Sequence, residues 1–198
     1  MKRLIMVFLT VCVATGAYAL EPIKLNSPDK SRGKTLMLSL DERMSVREFA
    51  AEEIKLQDLS DLLWAANGVN REDGRRTAPS AMNRQDIKLY VVTAMGSYYY
   101  NHKTHTLEPV ATGDFRQAVR GNMPALNVLV VADNGDERFA GVNAGYVSQN
   151  IYLACTALGM GTVACGGMDE AAFRKACKLG SKQKVIVHHP VGYPKTRK

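Results

Sequence analysis

No run in this 198-residue chain is apolar for long enough to cross a bilayer, which excludes an integral helical membrane protein. Internal repeats and low-complexity tracts are absent as well, so the chain reads as one domain with one core. There is no long basic run interleaved with aromatics, the pattern of a nucleic-acid binder, although the formal net charge is +7. Three of those positive charges sit at the very end, on Lys195, Arg197 and Lys198, and a small anionic ligand explains a local excess better than a polyanion does. Cysteine is scarce. Of four, Cys12 lies in the apolar start and Cys155, Cys165 and Cys177 remain, an odd number at no metal-ligand spacing. At least one thiol is expected to be free, and all three are read as structural.

The first 19 residues have the layout of a secretory leader. Lys2 and Arg3 precede the apolar run Leu4–Ala14, and Ala17-Tyr18-Ala19 offers a small-x-small cleavage site. A periplasmic or secreted protein starting at Leu20 is expected, and losing Lys2 and Arg3 lowers the charge to +5. Val11 is too bulky for lipoprotein processing at Cys12. Residues 20–34 are polar, carry two prolines and read as an arm; residues 35–198 form the domain.

The stretch Asn143–Met168 organises that domain. Val147, Ile151, Ala154 and Leu158 recur at helical spacing, and Tyr146, Leu153 and Ala157 widen the apolar surface. A helix with so little charge belongs in a core or a subunit interface. It is expected to start at an Asp136 cap and to run into Leu158-Gly159-Met160-Gly161, a short strand, and then Cys165-Gly166-Gly167. Glycines there let main chain approach something flat or anionic.

Other elements follow from period and punctuation. Thr35–Leu40 reads as a short strand, and Arg43, Ser45 and Arg47 alternate in what reads as the start of a helix, where a phosphate would meet guanidinium groups, a hydroxyl and helix N–H groups. Leu56–Asn67 is an amphipathic helix, with Leu56, Leu59, Leu62, Leu63 and Ala66 inward and Gly68 ending it. Thr77–Gln85 is a loop of hydroxyls and amides stiffened by Pro79. Ile87–Ala94 is a strand, Ser97–Asn101 and Thr106–Val110 form a hairpin, and His102 and His105 in its turn read as exposed and unpaired. Phe115–Arg120 is a short helix. Leu126–Ala132 is a central strand because it is apolar throughout. Asp169–Lys178 is a helix and Gln183–His189 the last strand; His188 and His189 are given no catalytic role. The order gives an α+β fold with a mixed sheet flanked by helices.

Five pieces in sequence resemble the nitroreductase superfamily of FMN-dependent oxidoreductases, and its SagB-like dehydrogenase branch in particular. They are Arg43-Met44-Ser45-Val46-Arg47; Leu62–Gly68; Arg76-Thr77-Ala78-Pro79-Ser80-Ala81 with Asn83 and Gln85; Gln149-Asn150 with Ala157–Thr162; and Val191-Gly192-Tyr193-Pro194. The resemblance spans residues 35–197. It implies a homodimer with a long buried central helix, and an FMN phosphate held by Arg43, Met44, Ser45 and Arg47 together with Lys195 and Arg197. Pro79, Ser80 and Asn83 would border the isoalloxazine ring from the other subunit, and Cys165, Gly166 and Gly167 would present N–H groups to flavin N5. A polar contact to the pyrimidine edge falls among Gln117, Arg120 and Asn122. The chain departs from the family where Asp86-Ile87 replaces Pro-Trp after Gln85, and where Lys195 follows Pro194 without a spacer.

The activity implied is ping-pong hydride transfer from a reductant such as NAD(P)H to an electron-poor acceptor, a nitroaromatic or quinone. No side chain is assigned as acid or base, because the flavin carries the chemistry. Two alternatives are a SagB-like dehydrogenase oxidising a peptide-derived or other small substrate, and a flavin-binding envelope protein without turnover.

Overall fold

The computed structural model describes residues 20–118, 123–133 and 137–195. The expected leader, the Asp136 cap and the end of the 115–120 helix lie outside them; Arg116–Ala118 form a single 3-10 turn. Seven strands make one sheet: β1 (Ile23–Lys24), β2 (Ile87–Val92), β3 (Gly96–Asn101), β4 (Thr106–Thr112), β5 (Leu126–Ala132), β6 (Gly161–Thr162) and β7 (Lys184–Gly192). Four α-helices, α1 (Leu36–Glu42), α2 (Leu56–Asn67), α3 (Glu137–Ala157) and α4 (Glu170–Ala176), are described with it, and Ala81–Asn83 form a second 3-10 turn. No described helix is long and apolar enough to cross a membrane.

The α+β class is as expected. Strand order is β1-β4-β3-β2-β5-β7-β6, and in place of mixed directions all six neighbouring pairs are antiparallel. The reason lies in one insertion. Strands β5 and β6, joined through α3, run in the same direction, but β7 slots between them and opposes both.

All seven residues of β5 are buried, because both faces of the sheet are covered. Leu126, Val128 and Val130 pack with α2 and α3, whereas Leu129 and Val131 meet Phe173 and Ala176 of α4. On α2, Leu59, Leu62, Leu63 and Ala66 are buried and the first residue, Leu56, is exposed. Gly68 accepts no side chain: a Cβ there would lie 2.5 Å from Trp64 Cδ1. On α3, Ala140, Ala144, Val147, Ile151, Ala154 and Cys155 form the buried stripe. Its opposite side is apolar yet open within one chain, with Val142 and Tyr146 46% and 44% exposed. Gly159, at φ +75°, closes the helix; the N–H of Met160 donates to Cys155 O at 2.8 Å.

Residues 36–42 form helix α1 and not a strand. Thr35 Oγ1 accepts from the N–H of Leu38, an N-terminal cap that outweighs the strand-like look of the apolar run. Leu36, Met37, Leu38 and Leu40 are all exposed on it. The arm is bound in place: Ile23 pairs with Leu107, Leu25 is buried, and Arg32 bridges Asp58 and Asp61 of α2.

Truncating the fully buried Ile151 to Ala removes the centre of the stripe between α3 and the sheet. The expected loss is about 2–5 kcal/mol of unfolding free energy, read from urea denaturation.

Candidate functional site

The site is built on one edge of the sheet. Gly161 of β6 pairs with Gly192 of β7, and a chain segment lies directly over both. A Cβ on Gly161 would come within 2.7 Å of Val46 Cγ1, and one on Gly192 within 2.9 Å of Phe49 Cβ. Two bare positions therefore admit the segment 46–50. Its backbone is then tied down: Val46 N–H donates to Thr162 O at 2.9 Å, Ala50 N–H to Tyr193 O at 2.9 Å, and Lys195 N–H to Glu48 O at 3.0 Å.

This segment carries Arg43, Met44, Ser45 and Arg47. Arg43 caps the C-terminus of α1, its N–H donating to Ser39 O, so the expected helix start is a helix end. No helix N–H groups are on offer here; side chains are the donors. Among the described residues neither Arg43 nor Arg47 has a carboxylate partner. Arg43 is half-buried with its guanidinium 5.2 Å from the Tyr152 ring centroid, and Arg47 and Met44 are exposed. Tyr152, which the sequence reading passed over, is the link. Its hydroxyl bonds to Ser45 Oγ at 3.1 Å and accepts from the N–H of Ala164 at 2.8 Å.

Ala164 opens the turn that ends in Cys165, Gly166 and Gly167. Cys165 and His188 exchange both backbone hydrogen bonds, and His188 Nε2 lies 3.3 Å from Gly167 O. Gly166 and Gly167 are exposed, neither has a positive φ, and a Cβ on either would meet nothing within 4 Å. Nothing among the described residues requires glycine there. Neither amide donates to an acceptor among the described residues. Burial raises the Cys165 pKa, while the charge of nearby Arg47 pulls it down. Cys155, Cys165 and Cys177 are all free thiols; burial pushes Cys177 up to about 12 and Cys155 higher still.

The Thr77–Gln85 loop sits elsewhere. Asn143 of α3 accepts from Ala81 N–H at 2.8 Å and donates to Asp86 Oδ1 at 2.8 Å. That anchor is nine residues before Tyr152, about 14 Å along the helix, so within one chain Pro79, Ser80 and Asn83 are held apart from Arg43. Met82, Asn83 and Gln85 adopt left-handed backbone at φ +53°, +54° and +50°. Lys195 is exposed beside Glu48; Arg197, like Arg120 and Asn122, lies outside the described residues. Gln117 belongs to a turn whose Ala118 O accepts from Asp169 N–H, close after the glycines.

Residues 40–193 match the Nitroreductase family. The chain belongs to this family. It is 32% identical over 176 residues to a protein of Methanocaldococcus jannaschii named as a nitroreductase, covering 76% of this chain and 87% of that one. A crystal structure named as a nitroreductase, from Ralstonia eutropha, is 33% identical and superposes with a TM-score of 0.83, covering 89% of this chain and 90% of that one. A chain of the Escherichia coli microcin synthetase complex shares the fold at 16% identity, with a TM-score of 0.71 over 96% of this chain and 85% of that one. Membership of the nitroreductase family makes the protein an oxidoreductase.

Other features of this family member lie off the site, apart from two histidines behind it. A cavity of about 550 Å³ between α4 and the start of β7 is lined by Glu170, Arg174, Lys182 and Gln183, and touches neither Arg43–Ala50, Tyr152 nor the 164–167 turn. His102 and His105 are partnered, not free: Arg76 Nη2 is 3.0 Å from His102 Nε2, and Tyr100 OH is 2.9 Å from His105 Nδ1. Among the described residues no cluster of three or more His, Cys, Asp or Glu is arranged to hold a metal. His188 and His189 are fully buried behind the turn, with His189 bonded to Ser148 Oγ at 2.8 Å and near Thr162 Oγ1 at 3.2 Å.

Burial, reinforced by neighbouring His188, holds His189 down at about 3; burial with the charge of Arg76 holds His102 at about 4. Both imidazoles are neutral in the fold and protonate more readily in the unfolded chain, whose histidine value is 6.5. Their contribution to stability is full above that value and declines as pH falls toward 4. Thermal unfolding followed from pH 7 to 4 should show a falling Tm in the native chain and a shallower slope in His189→Asn; equal slopes would rule out His189 as a source.

Proposed function

We propose that this nitroreductase-family protein is an FMN-dependent oxidoreductase, taking electrons from a reductant such as NAD(P)H and passing them to an electron-poor acceptor of the nitroaromatic or quinone class in a ping-pong cycle. The observation that carries the proposal is the junction of two features left open to a ligand. Arg43 and Arg47, without described carboxylates, stand beside a glycine turn whose open face and amides no described residue uses. A phosphate suits the first and a flat heteroaromatic ring with hydrogen-bond acceptors suits the second.

FMN, when bound, would supply reversible two-electron chemistry at its ring. The protein's part is to hold and tune. Arg43, Ser45 and Arg47 bind the phosphate, with Lys195 and the tail beyond it adding positive charge. Gly166 and Gly167, whose amides have no described acceptor, would supply N–H groups to the ring, where donors favour the reduced, more electron-rich form. Cys165, expected to offer its N–H as well, spends it on His188 O and so has no backbone donor left for the ring; its raised pKa keeps the thiol protonated at neutral pH.

The same proposal includes a homodimer. The open apolar face of α3 and the exposed Leu36, Met37, Leu38 and Leu40 of α1 are surface of the kind that subunits bury, and a second chain would carry Pro79, Ser80 and Asn83 to a ring they do not reach within their own chain. It also includes export through the leader, with cleavage after Ala19.

The purified protein should be yellow or become so with FMN, and the band should bleach with dithionite; colourless protein after incubation would end the proposal. Arg43→Gln and Arg47→Gln should each weaken FMN binding about tenfold or more, measured by quenching of flavin fluorescence, with riboflavin binding little changed.

A further inference from the structure

Tyr152 stands between the two halves of the site without belonging to either. Its ring is wedged: the Arg43 guanidinium lies 5.2 Å from the centroid, and His189 meets it at 5.5 Å with the planes at 82°. His189 is fixed in turn by Ser148 of α3 and Thr162 of β6, and Thr162 O receives the N–H of Val46. The phenol therefore has little freedom to swing. Its oxygen accepts the Ala164 N–H and shares a further hydrogen bond with Ser45 Oγ, in which either hydroxyl can be the donor. An anion held by Arg43 and Arg47 would decide the direction: it takes the Ser45 hydroxyl hydrogen, and the phenolic proton is then the one that Ser45 Oγ accepts.

Resting on the FMN reading, we propose that Tyr152 is a positioning residue that orients Ser45 as a donor to the phosphate and couples the phosphate end of the site to the peptide turn at the ring end. The chain runs in one direction, from Ala164 N–H to Tyr152 O–H to Ser45 O–H to the anion. Each donor in such a chain is polarised by the next, so an anion at one end strengthens the hold on Ala164 at the other. Ala164 is two residues from Gly166. A ligand's phosphate thus acts on the turn that faces its ring, through a phenol that touches neither.

The test uses Tyr152→Phe, which keeps the ring for Arg43 and His189 and removes only the hydroxyl, alongside Ser45→Ala and the double variant. Dissociation constants for FMN and for riboflavin, and the midpoint potential of bound FMN, are measured for each, with a thermal melt to check folding. In Tyr152→Phe, FMN affinity should fall about tenfold and riboflavin affinity much less, with a more negative potential. Ser45→Ala should show the same FMN-specific loss and also a shifted potential, although it lies at the phosphate end. The double variant should lose no more than the larger single loss, since both act in one chain.

Native protein that binds neither flavin overturns the FMN reading itself. Native protein that binds FMN, with a Tyr152→Phe variant that keeps both the FMN-to-riboflavin ratio and the potential, overturns only the role of Tyr152. Should Tyr152→Phe not fold, Ser45→Ala decides alone: an unchanged potential sinks the coupling.

Discussion

The contact on which this architecture turns is between two glycines and the side chains laid across them. Gly161 and Gly192 face each other on neighbouring strands, and Val46 and Phe49 occupy the volume their missing side chains leave. Any larger residue at either position would lift the crossing segment off the sheet. With it would go the link from Val46 to Thr162, and the close approach of Arg43 and Ser45 to Tyr152. The cationic side chains are thus placed by an absence of atoms in the sheet below them.

The tail is fastened to the same region by a second device. Tyr193 donates its hydroxyl to Asp58 and accepts from Lys55 N–H, which pins the end of β7 to the start of α2. Asp58 also takes Arg32 from the arm. One buried carboxylate on α2 therefore gathers both chain ends. Arg32 is paired into this scaffold, whereas Arg43 and Arg47 find no such carboxylate among the described residues, and that contrast separates structural arginines from those available to a ligand.

Much of the fold was legible because it rests on local pattern. The leucines of α2 with Gly68 behind them, the unbroken apolar run of β5 and the β3–β4 hairpin declare themselves through period and punctuation. Helix α1 did not, because its apolar residues lack a buried face within one chain and only the Thr35 cap betrays it. The motif residues Arg43, Ser45 and Arg47 were visible as a spacing, but their helix was placed on the wrong side. Tyr152, and the contact between His189 and Thr162, were missed for a different reason: the partners are 12 to 107 positions apart. A phenol, one of two in a helix almost free of charge, was the available signal. The histidines of the hairpin turn went astray likewise, since Arg76 lies 26 residues before His102.

The arm deserves to be counted with the sheet. Through β1 it covers part of β4, Leu25 N–H reaches His105 O, and Lys34 N–H reaches Ala157 O at the end of α3. Residues 23–34 so form a belt from one border of the sheet to the foot of the central helix. A proteolytic nick that freed Ile23 would bare a ladder of unpaired amides and carbonyls on β4, the kind of border along which strands from separate molecules stack. Leader cleavage after Ala19, as proposed, falls just short of the belt, so maturation would leave the chain protected against self-association along that border.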